Sequence, residues 1–139
     1  MASDSETFEF HATLSHLDEG LETLHDSVQR LRDSTGRGQE DRSLLRFEIA
    51  LAEIGANVLT HGRPAGTDPP VEYSLRLDHG AALAEFIDRG PPAHSSINRG
   101  MPDHSSESGR GLPMARSLLD ELGYERVGEI NKWRLVKRL

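Results

Sequence analysis

The chain contains no cysteine, which excludes a disulfide framework, a thiolate nucleophile and any cysteine-held metal. No window approaches the ~18 consecutive apolar residues of a membrane span. The opening MASDSETFEF is acidic and lacks an apolar core of signal-peptide length. Basic charge is in deficit: 16 Lys and Arg stand against 23 Asp and Glu, a formal net charge of −7. That balance argues against direct nucleic-acid or membrane-surface binding, which calls for a basic patch. There is no internal repeat and no heptad array. A length of 139 residues holds one compact core and not two ordinary ones. These absences predict a soluble, cytoplasmic protein with a single domain over residues 1–139, of which 1–6 are expected to be disordered.

What is present is periodicity. Phe47, Leu51, Ile54 and Val58 recur at helical steps and mark one buried stripe. The helix they define runs from about Asp41 to His61 and stops at Gly62, with Pro64 preventing continuation. Before it, Phe8, Phe10, Ala12 and Leu14 alternate as a short strand, and Ser15 is placed to cap the next element. Leu17, Leu21, Leu24, Val28 and Leu31 form an amphipathic helix, broken by STGRGQED. Val71 to Leu77 alternates strictly, Asp78-His79-Gly80 reads as a tight turn, and Ala81 to Asp88 returns as its hairpin partner. Residues 89–110 carry almost nothing apolar and read as a lid. Leu112, Ala115, Leu118, Leu119 and Leu122 predict a third helix, with Pro113 in its first turn and Gly123 as its C-terminal cap. A closing hairpin follows, Tyr124 to Val127 and Lys132 to Arg138, with Trp133 and Leu135 on one face. The basic ending KWRLVKRL alternates as an edge strand, where Lys and Arg deter aggregation. The predicted fold is an α+β two-layer sandwich, a mixed but mostly antiparallel sheet of about five strands with three helices on one face.

Three places could carry chemistry. Glu53 and Asn57 lie one helical turn apart on a stripe beside the apolar face, with His61 above them. They could be a general base and a hard oxygen ligand for Mg²⁺, or a polar helix edge solvated by water. Asp88, in DRG at a strand end, could accept a hydrogen bond from an exocyclic amine, with Gly90 allowing close backbone approach; it could equally be a strand-terminating turn. SGRGL, Ser108 to Leu112, offers a phosphate free N–H groups, a helix dipole and the Arg110 guanidinium, or is a hinge with a solvated arginine. His79, His94 and His104 lie on turn or loop positions and give His61 no second ligand at hydrolase spacing.

Taken in order, an E-x-x-x-N helix, a strand ending in D-x-G, a lid and G-R-G-L opening a helix resemble the ATP-binding domain of the histidine-kinase-like (GHKL) ATPases. Within that superfamily, EIGANVLTHG and the ending EINKWRLVKRL look like the anti-sigma factor serine/threonine-protein kinases of bacteria. The resemblance spans Phe8 to Leu139 and implies the Bergerat fold. It matches Glu53 to the catalytic base, Asn57 to the Mg²⁺ ligand, and His61 and Gly62 to the segment near the ribose and phosphates. Asp88 matches the adenine-reading carboxylate with Gly90 behind the ring. Gly109, Arg110, Gly111 and Leu112 match the glycine box that holds the phosphates.

The implied function is phosphoryl transfer from ATP, with Mg²⁺, to a Ser or Thr of an anti-sigma-factor antagonist. A sigma factor would be the other partner, and a homodimer is a possible assembly of the family's kind. In place of the family's second glycine after the aspartate stands Pro92, which has no N–H and a fixed φ. Asn131 stands where a Gly-Thr pair is common. The alternative these departures motivate is a non-catalytic module of the same fold that sequesters a partner.

Overall fold

Alternation decides the first element. In β1 (Phe8–Leu14) the side chains of Phe8, Phe10, Ala12 and Leu14 turn inward while Glu9, His11 and Thr13 stay exposed. The computed structural model describes residues 7–61, 70–92 and 107–139, with 107–111 described as backbone only. After β1 come α1 (Leu17–Thr35), α2 (Arg42–His61), β2 (Val71–Asp78), β3 (Ala81–Asp88), α3 (Glu107–Leu118), β4 (Glu121–Val127) and β5 (Ile130–Arg138). The strands form one sheet in the order β1-β2-β3-β5-β4. Every pairing is antiparallel. The helices make the second layer, with α2 central: it packs on α1, on α3, and across β3 and β5.

The α2 stripe is the heart of the core. Phe47, Leu51 and Ile54 are fully buried and Val58 nearly so, as the helical spacing predicts. Helix α1 approaches closely because two glycines face leucines: a Cβ on Gly55 would collide with Leu24, and one on Gly20 with Leu59. Across the layers, the Tyr73 hydroxyl lies 2.7 Å from Ser27 Oγ, which itself donates to the Leu24 carbonyl at 2.7 Å. Burial pushes the Tyr73 hydroxyl pKa up, so this strut stays uncharged and ties β2 to α1.

Helix α2 starts at a defined cap. Asp41 Oδ1 accepts the Leu44 N–H at 2.9 Å, and Arg37 pairs with Oδ2 at 2.7 Å. The Leu44 N–H, helped by Arg37 and opposed by partial burial, holds the Asp41 carboxyl below the usual carboxylate range. A depressed folded-state pKa stabilises above the unfolded value and loses that contribution as pH falls through the folded one. Asp41→Ala is therefore expected to cost about 1 kcal/mol at pH 7 and clearly less near pH 2, read from urea titrations. A gap that does not change with pH would contradict the ionised cap.

Several boundaries depart from the sequence reading. Ser15 is not the cap of α1. His16 holds that position without a side-chain bond, because the strand runs to Leu14 and the first turn begins only at Leu17. Helix α3 begins at Glu107, so the last residues of the expected lid have helical backbone and Pro113 sits inside the helix. There it cannot donate to the Gly109 carbonyl, which weakens the hold on the first turn. At its other end α3 stops at Leu118. Leu122 and Gly123 belong to β4, opposite Leu135 and Arg134, so Gly123 caps nothing. Asp120 sets that strand's start: its N–H donates to Val136 O at 2.9 Å and its carboxylate accepts the Arg138 N–H at 2.7 Å. Finally, β5 is no edge strand. It lies between β3 and β4, and its Lys132, Arg134 and Lys137 are matched by Glu85, Glu121 and Asp120 on or beside the neighbouring strands.

The two hairpins turn as their residues require. His79 and Gly80 have φ of 52° and 79°, the doubly left-handed two-residue turn that suits twisted strands. Gly128, with φ 62°, takes the first place in the turn between β4 and β5.

Candidate functional site

Glu53 and Asn57 lie where the i, i+4 rule puts them, both half-buried at the border of the α2 core stripe. The Asn57 amide nitrogen donates to the Glu53 backbone carbonyl at 3.2 Å, a bond that leaves the amide oxygen unused. Among the described residues no hydrogen bond or ion pair engages that oxygen or the Glu53 carboxylate. A carboxylate and a neutral oxygen one turn apart, neither engaged by a described residue, fit a base beside a hard-cation ligand. Among the described residues no group of three or more His, Asp or Glu could hold a metal. His61 ends α2 and is exposed; Gly62 lies outside the described residues.

Asp88 ends β3 on the helix-facing side and is only 1% exposed. A buried carboxylate must be hydrogen-bonded, and three donors meet this one. Oδ1 accepts the Gly90 N–H at 2.9 Å and Asn131 Nδ2 at 2.7 Å; Oδ2 accepts the Trp133 indole N–H at 3.1 Å. Among the described residues one acceptor direction remains on Oδ2, which fits an added amine donor.

Asn131, itself 1% exposed, is the hub of this cluster. Its oxygen accepts from the Tyr124 hydroxyl and from Arg126 at 2.9 Å. Its nitrogen also reaches the Gly90 and Pro91 carbonyls at 3.1 and 3.0 Å. Arg126 donates to the Gly90 carbonyl at 2.9 Å. Tyr124 packs on Trp133 with ring centroids 4.9 Å apart.

Asn131 and Trp133 as partners of Asp88, and Arg126 and Tyr124 as partners of Asn131, escaped the sequence reading. The signal that could have found them is register: in an antiparallel pairing of β3 with the last strand, Asp88 faces Asn131, and Trp133 follows on the same inward side. Asn131 stands out as a buried polar residue beside Trp133 and Leu135 on that face.

Gly109, Arg110 and Gly111 lie in the opening turns of α3, and Leu112 is buried against the core. A helix start carries unpaired N–H groups and a positive dipole end. The fold brings the three elements that bear the candidates into one neighbourhood, with α2 packed on α3 and on β3. Among the described residues no direct bond joins Asp88 to Glu53 or Asn57. Pro92 is exposed just beyond Pro91. No described helix is long and apolar enough to cross a membrane.

Comparison with known proteins follows the same lines. The family model for the histidine kinase-like ATPase domain matches residues 14–137. The chain superposes on the crystal structure of the RsbU and RsbW domains of Rv1364c from Mycobacterium tuberculosis with a TM-score of 0.68 and 20% identity. That match covers 95% of this chain and 32% of the other, so the chain spans about a third of that protein's length. The Acinetobacter baumannii histidine kinase AdeS is similar at TM-score 0.53 and 12% identity, over 93% of this chain and 67% of that one. At these identities the likeness is one of fold. No curated protein matches the sequence.

Proposed function

The chain belongs to the histidine kinase-like ATPase domain family, and from that membership we propose that it is an ATP-dependent regulatory kinase of the anti-sigma type. Its target would be a serine or threonine of an anti-sigma-factor antagonist, with a sigma factor as the alternative partner. The observation that best supports the reading is the pair on α2 that no described residue engages: the Glu53 carboxylate and the Asn57 amide oxygen, one turn apart and half-buried. The RsbW-containing neighbour supports the anti-sigma assignment of a domain with this fold.

Phosphoryl transfer depends on in-line positioning and charge neutralisation. Asn57 would hold Mg²⁺, which supplies positive charge to the phosphate oxygens when bound. Asp88 would take the exocyclic amine of adenine on its remaining acceptor direction. Backbone N–H groups at the start of α3, with Arg110, would hold the terminal phosphate. Glu53 would orient the substrate hydroxyl and accept its proton.

The test is incubation with γ-labelled ATP and candidate antagonist proteins, preceded by a melting curve. Nucleotide at a hundred times its dissociation constant should add roughly 2.7 kcal/mol, a rise of several degrees in Tm. An unshifted melt at millimolar Mg-ATP would defeat the nucleotide reading. A second reading, a partner-binding module without turnover, is favoured by the three donors already on Asp88 and by Pro92. A Tm shift without label transfer to any antagonist would favour it.

A further inference from the structure

We infer that α2 docks the protein substrate on an exposed apolar stripe beside Glu53, and that the part received is an amphipathic helix with basic residues along one edge. The inference rests on the kinase reading and deepens it by naming what the substrate must carry.

Helix α2 uses one spacing twice. Phe47, Leu51, Ile54 and Val58 step by four, three and four and are buried. Leu45, Ile49, Ala52 and Ala56 take the same steps two residues earlier. At about 100° per residue they fall within an arc of about 60° on the outer side of the helix. Leu45 is 49% exposed and Ile49 41%, and Ala52 is exposed with them. A solvated helix face ordinarily carries polar residues, and this one lies uncovered among the described residues.

The two banks of the stripe differ in charge. On one side lies α1, placed there by the Gly20–Leu59 and Gly55–Leu24 approaches and by the His25–Glu48 pair. Exposed Leu17 and half-buried Leu21 carry the apolar surface on to α1. Beyond them Asp18, Glu22 and Asp26 stand exposed at steps of four, a like-charge row that weakens its own helix. Among the described residues no ion pair neutralises that row. On the other side lie exposed Arg42 and Arg46 and half-buried Glu53, so the proposed base sits about one turn from both Ile49 and Ala56. A helix with Lys or Arg along its α1 edge neutralises the acidic row while its apolar face covers Leu45 and Ile49. The opposite sign of the far bank fixes which way round that helix lies. A second copy of this chain fits less well, because it brings its own net charge of −7.

The test uses a fluorescently labelled helical peptide with leucines at that four-three-four spacing and a row of lysines on one edge. Its binding to the full chain is followed by anisotropy, with Mg-ATP melting curves run alongside. Leu45→Gln combined with Ile49→Gln changes two exposed positions to a good helix former. It is expected to weaken binding at least about tenfold and to leave the Mg-ATP melting shift unchanged. Asp18→Asn combined with Glu22→Gln is expected to weaken binding several-fold and to flatten its dependence on salt, which lost packing alone does not do. Binding that is absent in the parent, that survives the glutamine pair, or that favours a peptide with glutamates in place of the lysines overturns the docking inference and leaves the kinase reading standing. A parent dimer that the glutamine pair converts to monomer gives the stripe to a second copy and overturns it too. A parent without a Mg-ATP melting shift overturns the kinase reading and, with it, the substrate role of the stripe.

Discussion

Replacing Asp88 with alanine is expected to lower folding stability by about 3–5 kcal/mol, measured by urea denaturation followed through Trp133 fluorescence. The size comes from what the substitution leaves behind. The Trp133 indole N–H and the Gly90 N–H each lose the acceptor they have, and Asn131 loses its shortest bond to an acceptor. Each buried donor left unpaired costs about 1–3 kcal/mol. Asp88→Asn should recover little. A carboxamide offers one acceptor oxygen where two are used, and its NH₂ would face either the indole N–H or the Asn131 amide. An alanine variant within about 1 kcal/mol of the parent would mean that the cluster does not stabilise the folded protein. The same carboxylate thus carries two demands, anchoring the β3–β5 end of the sheet and offering one acceptor direction to a ligand.

The sequence made the inner stripe of α2 legible because a helix buried on one side leaves a plain period, and Phe47, Leu51, Ile54 and Val58 are buried as that period requires. The turn at His79-Gly80 and the end of β3 at Asp88 were legible for local reasons, turn chemistry and alternation. What could not be read depends on partners distant in the chain. Leu118, Leu119 and Leu122 fit one helical stripe, yet Leu122 pairs across the sheet with Leu135, and pairing overrides propensity. The alternation of β5 is the same for an edge as for an inner strand, because Lys132, Arg134 and Lys137 find carboxylates on or beside neighbouring strands. Asp88 was singled out correctly as a strand-end carboxylate, but its donors follow only from the β3–β5 register. The stripe of Glu53 and Asn57 was legible as geometry, while their lack of partners among the described residues needed coordinates.

Glu53→Gln is expected to cut phosphoryl transfer to the antagonist by about 10²–10⁴-fold while leaving nucleotide affinity and stability close to those of the parent. The two acidic groups of the proposed site differ in their surroundings. Asp88 is buried and bonded, so any change there disturbs the fold. Glu53 is half-buried and engages no described side chain, so an isosteric amide should shift stability by no more than about 0.5 kcal/mol. An amide keeps the shape and loses the basicity, which isolates proton acceptance from positioning. The nucleotide contacts proposed for Asp88, Asn57 and the start of α3 remain intact in this variant, so the Mg-ATP melting shift should persist. Transfer that survives in a stable, nucleotide-binding Glu53→Gln protein would move the base to another residue. Loss of the melting shift together with transfer would instead make Glu53 a binding group, and the rate effect a consequence of occupancy.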